Sequence, residues 1–161
     1  MAIENESRTL IIRDASLIFK NFAGKETEFN RDGKRTFSVV IEDAEVAHDL
    51  MRDGWNLKPL KKRNEEDEQR WHLSVEVRYD NFPPRIVMRR RNRPNVDLDS
   101  ESVACLDYAH ISNAYVNINP SRWTMQGRGG VKAYLKSMIV DIEEDELMAM
   151  LEEDELGGPQ Y

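Results

Sequence analysis

A single cysteine, Cys105, stands among 161 residues, so no intramolecular disulfide can staple this chain. A sequence of this length can close one hydrophobic core without help, and one domain is the default. Long apolar runs are missing too. Charges interrupt every hydrophobic stretch within a few positions, well short of the roughly 20 apolar residues of a membrane-crossing helix. Residues 1–6 offer neither the basic start nor the apolar run of a signal peptide, which places the expected site of action in a reducing cytoplasm, away from membranes.

Catalytic signatures are equally scarce. There is no Gly-x-Ser-x-Gly, no phosphate-cradling Gly-x-x-x-x-Gly-Lys-Ser/Thr and no Cys/His cluster of zinc spacing. The three histidines, His48, His72 and His110, are widely spread. Asp97, Asp99 and Glu101 are the nearest thing to a magnesium-ligand set, and they read better as a solvated loop. The expectation is a protein that is not an enzyme, with no catalytic residue, metal or cofactor.

A surplus of positive charge is also lacking: the net charge is −7. The charges are segregated, however. From Asp141 onward there are nine acids and no Lys or Arg, which leaves 23 basic against 21 acidic residues in positions 1–140, a net of +2. The body is mildly basic, and the tail alone makes the total acidic.

What is present is strand pattern. Leu10-Ile11-Ile12 and Leu17-Ile18-Phe19 read as strands with a bend between them. Asp32-Gly33 suggests a type I′ hairpin turn with two positive-φ positions, leading into a strand that ends at Phe37–Ile41. Asp43 offers an N-cap, and the spacing of Val46, Ala47, Leu50 and Met51, closed by Gly54, predicts a helix over 43–53. The charged stretch 58–70 reads as a loop. Trp71, Leu73, Val75, Val77 and Tyr79 alternate with polar residues as one buried strand face.

A strand from Arg85 runs into the basic block Arg89–Arg93. Ala114, Val116 and Ile118 mark another, which Pro120 is expected to end. Residues 126–130 read as a flexible turn into the strand Val131–Lys136. The loss of alternation at Met138-Ile139-Val140 predicts a bulge or a strand buried on both faces, ending near Ile142. The inventory is mainly β, five to eight strands with one short helix, which favours a small barrel or sandwich over a parallel α/β fold. The predicted divisions are a binding domain at 1–142 and an acidic tail at 143–161, a short helix over Glu143–Leu151 and then a disordered end.

The strand 131–136 carries the chemistry. Alternation puts Lys132, Tyr134 and Lys136 on one face. A ring flanked by ammonium groups suits an unpaired nucleic-acid strand, whose bases stack and whose phosphates attract cations, each stacked base contributing about 1–3 kcal/mol without reading sequence. The interleaving recurs in Lys20 and Phe22, in Arg31, Lys34 and Arg35, in Tyr115, and in Trp123 and Arg128. Arg89, Arg90 and Arg91 are expected phosphate contacts. Solubilising surface charge is the bland account of each segment taken alone, and repetition is the argument against it.

These segments, Leu17–Phe22 to Phe37–Ile41, Lys132–Lys136 and the acids Glu152, Glu153, Asp154 and Glu155 before the terminal Tyr161, resemble the T7-type phage single-stranded-DNA-binding proteins. Those are OB-fold barrels with an acidic tail ending in an aromatic residue, and the resemblance implies a five-stranded OB-like barrel here. Here Leu156–Gln160 separates the acids from Tyr161. The resemblance implies sequence-tolerant binding that protects and organises single-stranded DNA during phage replication and recombination, in the host cytoplasm. It also implies a tail facing replication or recombination proteins, with a homodimer as a candidate assembly. The competing reading is a non-enzymatic interaction module that binds a host or phage partner through the C-terminal segment.

Overall fold

The structure, a computed structural model, describes the backbone of residues 2–6 and residues 9–28, 30–80 and 82–143. Its strands are β1 (Ala2–Glu6), β2 (Thr9–Ala15), β3 (Leu17–Asn21), β4 (Arg35–Ile41), β5 (Leu57–Pro59), β6 (Trp71–Val77), β7 (Arg85–Arg90), β8 (Val96–Leu98), β9 (Ile111–Met125) and β10 (Arg128–Ile142). Helix α1 spans Ala44–Arg52, and a 3₁₀ turn spans Val103–Asp107.

The pairing order is β1-β2-β9-β10-β6-β4-β3. Its two halves are joined covalently, because Ser16 alone separates β2 from β3. Asp14 takes φ 51 at the bend, and the Val40 N–H donates to the Ser16 carbonyl at 3.0 Å. One bent strand thus pairs with β9 on one side of the kink and with β4 on the other. Counting β2/β3 as the first strand and β4, β6, β9 and β10 as the next four, the order is 1-2-3-5-4 and back to 1. Among these five, β10 with β6 is the parallel pair. This is a Greek-key barrel of the OB type, as the family resemblance implied.

The interior follows from alternation. Leu10 and Ile12, Phe37, Val39 and Ile41, Leu73, Val75 and Val77, and Val116 and Ile118 all point inward and are buried. In β10 the inward set Val131, Ala133 and Leu135 changes phase to Met138 and Val140. A register shift between Leu135 and Ser137 leaves Lys136 as the extra residue, so the predicted bulge is present.

Two turn readings are corrected. Only Gly33 takes positive φ (84°) in the 31–34 turn, which the Lys34 N–H closes onto the Arg31 carbonyl. A lone positive φ at the third position is the type II pattern, which spares Asp32 and its Cβ the left-handed region. The two-residue turn with both φ positive is instead Gln126-Gly127 (51° and 79°), joining β9 to β10. It converts residues 121–130, read as strand end and flexible turn, into a regular hairpin arm. Pro120 does not end β9. It pairs with Ala133 beyond Ile118, the last β9 residue that β2 reaches, and an edge position tolerates a missing N–H.

Helix α1 forms where expected. Asp43 accepts from the Glu45 and Val46 amides, and Ala47 and Leu50 are buried. Its end anchors the arm: Gly54, at φ 97°, accepts from the Val131 N–H at 2.8 Å, and Asp53 accepts from Arg122. No helix among the described residues is long and apolar enough to cross a membrane.

Candidate nucleic-acid interface

A groove of about 1320 Å3 crosses the outer face of β3, β4 and β6 and continues to the base of the arm. Alternation forces its floor to be polar: the residues between the inward ones are Thr36 and Ser38 on β4 and His72, Ser74 and Glu76 on β6. Phe19 (63% exposed), Tyr108 (78%) and Trp123 (47%) stand around it as large hydrophobic side chains facing solvent. Lys20, Lys25, Lys34, Lys58 and Lys132 supply positive charge along the walls.

Local backbone geometry sets each aromatic. Phe19 takes φ 50° where the β3–β4 register slips between Ile18 and Asn21, and this turns the ring out of an apolar cluster and onto His72 (centroids 5.2 Å, edge-on). Trp123 lies over Gly130, where an added Cβ would meet the indole at 3.0 Å. Lys25 donates to the Tyr108 hydroxyl at 2.8 Å, and that bond raises its pKa. Burial, followed by the Lys58 charge, lowers the pKa of His72, so its ring is neutral at neutral pH. The Tyr134 ring is flanked by Lys132 (5.2 Å) and Arg78 (5.7 Å).

Of the residues expected from sequence, Lys20, Lys34, Trp123 and Lys132 line this groove, and Tyr134 adjoins it through Lys132. Lys20 is committed to the fold. Its ammonium donates to the Leu106 and Ala109 carbonyls at 2.6 and 2.8 Å, and burial lowers its pKa against the opposing pull of Asp107.

Phe22 is a correction. It is fully buried and stacked on Phe37 (5.1 Å, 21°), so it cannot meet a base. Arg35 donates to the Phe22 carbonyl and lies over Tyr79. Tyr115 sits under Arg13 on the β9 face. Arg31, Arg128 and Lys136 are exposed but do not line the groove.

Arg89, Arg90 and Arg91 lie at the far end of β10, where Arg89 and Arg90 pair with Asp141 and Ile142. That is roughly 30 Å along the strand from Lys132 at the usual rise. Arg89 grips Asp141 with two bonds of 2.7 and 3.0 Å. The tail residues Glu152, Glu153, Asp154, Glu155 and Tyr161, and the Leu147–Leu151 helix, lie outside the described residues.

Sequence reasoning missed Phe19, Lys25, Lys58, His72, Glu76, Arg78 and Tyr108. Phe19 falls within an apolar strand cluster, where nothing announces a left-handed backbone. The others are single residues on segments that touch only in the folded barrel. Of the acids in Asp97–Glu101, two are held within the fold: Asp99 accepts from the Glu101 and Ser102 amides and the Ser102 hydroxyl, bonds led by the Ser102 amide that hold its pKa down. Asp97 pairs with Arg85. Among the described residues no group of three candidate ligands could hold a metal ion.

A closed five-strand barrel with a lysine-walled, aromatic-rimmed groove over its second and third strands defines an OB-type binding module. The chain belongs to a phage family: residues 2–153 match the family model described as "Putative phage ssDNA-binding domain". Among solved structures, it resembles the single-stranded DNA-binding protein from bacteriophage Enc34 in complex with ssDNA. The two share 12% identity over 85% of this chain and 88% of that one, with a TM-score of 0.54. The C-terminally truncated form of that protein aligns over 85% and 87% of the chains, with 9% identity and a TM-score of 0.52. The single-stranded DNA-binding protein gp2.5 of bacteriophage T7 aligns over 89% of each chain, with 9% identity and a TM-score of 0.43. The fold likeness rests on the Enc34 structures. No curated protein sequence matches.

Proposed function

We propose that this chain binds single-stranded DNA in the groove over β3, β4 and β6. Bases stack on Phe19, Tyr108 and Trp123, and phosphates meet Lys25, Lys34, Lys58 and Lys132. The observation that carries this reading is the convergence of three solvent-facing rings and these lysines on one open face of an OB-type barrel. Family membership supports it independently. Stacking and charge contacts read no base identity, so binding is sequence-tolerant. Its use is the protection and organisation of unpaired DNA during phage replication and recombination, in the host cytoplasm.

The chain binds without cutting. Labelled DNA incubated with magnesium or manganese stays intact, and cleavage would overturn this. The domain of 1–142 binds, and the acids at Glu152–Glu155 with Tyr161 compete with DNA for the basic face or engage replication and recombination proteins. Sedimentation at two concentrations tests for a homodimer.

Fluorescence anisotropy of labelled oligo-dT and a matched duplex, titrated with the full chain at low and moderate salt, tests the central reading. Tight, salt-sensitive binding that favours the single strand is expected. Equal binding of the duplex, or none of either by folded protein, would refute it.

A further inference from the structure

Glu76 is the only buried charged residue among the described residues (6% exposed). A carboxylate withdrawn from water needs partners. Strand order supplies them, because Glu76 stands on the central strand β6, opposite Thr36 of β4 and Tyr134 of β10. Cations from both neighbouring strands or their approaches, and one from its own chain segment, converge on it. Lys132 Nζ lies 3.5 Å and Lys34 Nζ 3.8 Å from Oε1, and Arg78 Nε lies 3.7 Å from Oε2.

Charge-assisted hydrogen bonds close to about 2.7–2.9 Å, and all three contacts stand off beyond that. The carboxylate accepts one long hydrogen bond from Lys132 and holds the other two cations at ion-pair distance only, and Arg78 also pairs with Asp80 at 3.2 Å. Their side chains remain 34% (Lys34), 44% (Lys132) and 49% (Arg78) exposed, and Lys34 and Lys132 line the groove.

We propose that Glu76 is a resident counter-anion, and that the phosphodiester backbone of an incoming strand takes over Lys34, Lys132 and Arg78 from it. The inference rests on the groove reading above. In the free protein the carboxylate offsets the mutual repulsion of three like charges on the groove floor and keeps them together. It stays in place once a strand arrives, and because Arg78 also pairs with Asp80, phosphates meet a cluster of net +1 rather than the +2 it would carry without Glu76, and are repelled by the acid beneath it. Glu76 therefore attenuates affinity and makes the strand releasable. Phosphate contact is the term it acts on, and stacking is not.

The test is the full chain carrying Glu76→Gln, which keeps the shape and removes the charge. Anisotropy with oligo-dT across a salt series is read beside a thermal melt. Binding several-fold tighter at low salt is expected, with a salt slope steeper by up to about 0.7, the value for one single-strand phosphate contact. The melting temperature should fall slightly as the three cations repel. Folded Glu76→Gln that binds no more tightly than wild type, or more weakly, overturns the proposal and leaves Glu76 a positioning residue.

If Glu76→Gln does not fold, Glu76→Asp takes its place. It keeps the charge and withdraws it by one methylene from the lysines. It must bind tighter than wild type by a smaller factor, and equal or weaker binding overturns the proposal. Absence of oligonucleotide binding by folded wild type refutes the groove reading itself, whereas wild-type binding with an unresponsive Glu76 variant refutes only the present inference.

Discussion

Phe19 and Phe22 stand three positions apart in one strand–turn segment and meet opposite fates, one 63% exposed on the groove and the other fully buried against Phe37. Phe22→Ala should cost about 3–5 kcal/mol of stability in urea unfolding, as core aromatic truncations do. Phe19→Ala should leave unfolding nearly unchanged and weaken oligo-dT binding by about 1–3 kcal/mol, the contribution of one stacked base. Equal stability losses would contradict this division. His72 gives a pH signature. Its folded pKa is lowered by burial and by Lys58, so the stability tied to its neutral form is complete above the unfolded value of about 6.5 and is lost as pH falls through the folded one. Wild type should therefore lose stability between pH 7 and pH 5 more steeply than His72→Gln, compared by urea melts at each pH.

At the scale of elements, the arm depends on two positions with little tolerance, the Gln126-Gly127 turn and Gly130. Gly130→Ala puts a Cβ 3.0–3.1 Å from the Trp123 ring. The indole is the exposed partner and must move, so binding should drop with little loss of stability, and tryptophan fluorescence should report the shift. The attachment of β7 to β10 includes the Arg89–Asp141 pair. The Arg89 hydrogen bond holds the Asp141 pKa down, so this tie is complete above the unfolded carboxylate value near 4 and is lost as pH falls through the lower folded value. Asp141→Asn should thus be less stable than wild type at pH 7 in urea melts, with the gap closing as pH falls through the folded Asp141 value.

Elements with a clean period were legible beforehand: β6, the inward face of β9, the 131–136 strand and α1 with its Asp43 cap all announced themselves. The arm did not, because Gly-rich residues 126–130 read as flexible when only their pairing makes them strand. Phe22 reads as a groove residue in the sequence, and Phe19 is passed over, for a related reason. Alternation carries across a strand until a left-handed residue breaks it, and here the break falls at Phe19.

For the whole molecule, barrel closure is what creates a site, since Phe19, Tyr108, Trp123 and the lysines come from segments up to about a hundred residues apart and meet only when the bent β2/β3 strand closes the circuit to β9 and β4. Sequence gave the residue types of such a groove, and the register of closure decides which of them face it. The arginines of β7 illustrate the point: they have suitable chemistry, yet closure carries them to the opposite end of β10. Two contributions to affinity should then separate cleanly. A triple Lys25, Lys34 and Lys132→Gln variant should flatten the salt slope on oligo-dT by roughly 2, at about 0.7 per single-strand phosphate contact, while keeping the residual affinity that persists at high salt. A triple Phe19, Tyr108 and Trp123→Ala variant should do the reverse, preserving the slope and removing the salt-resistant part. Salt titrations of both against wild type decide it. If either triple variant removed both components together, charge and stacking would not be independent walls of one groove, and the strand would have to follow another path over the barrel.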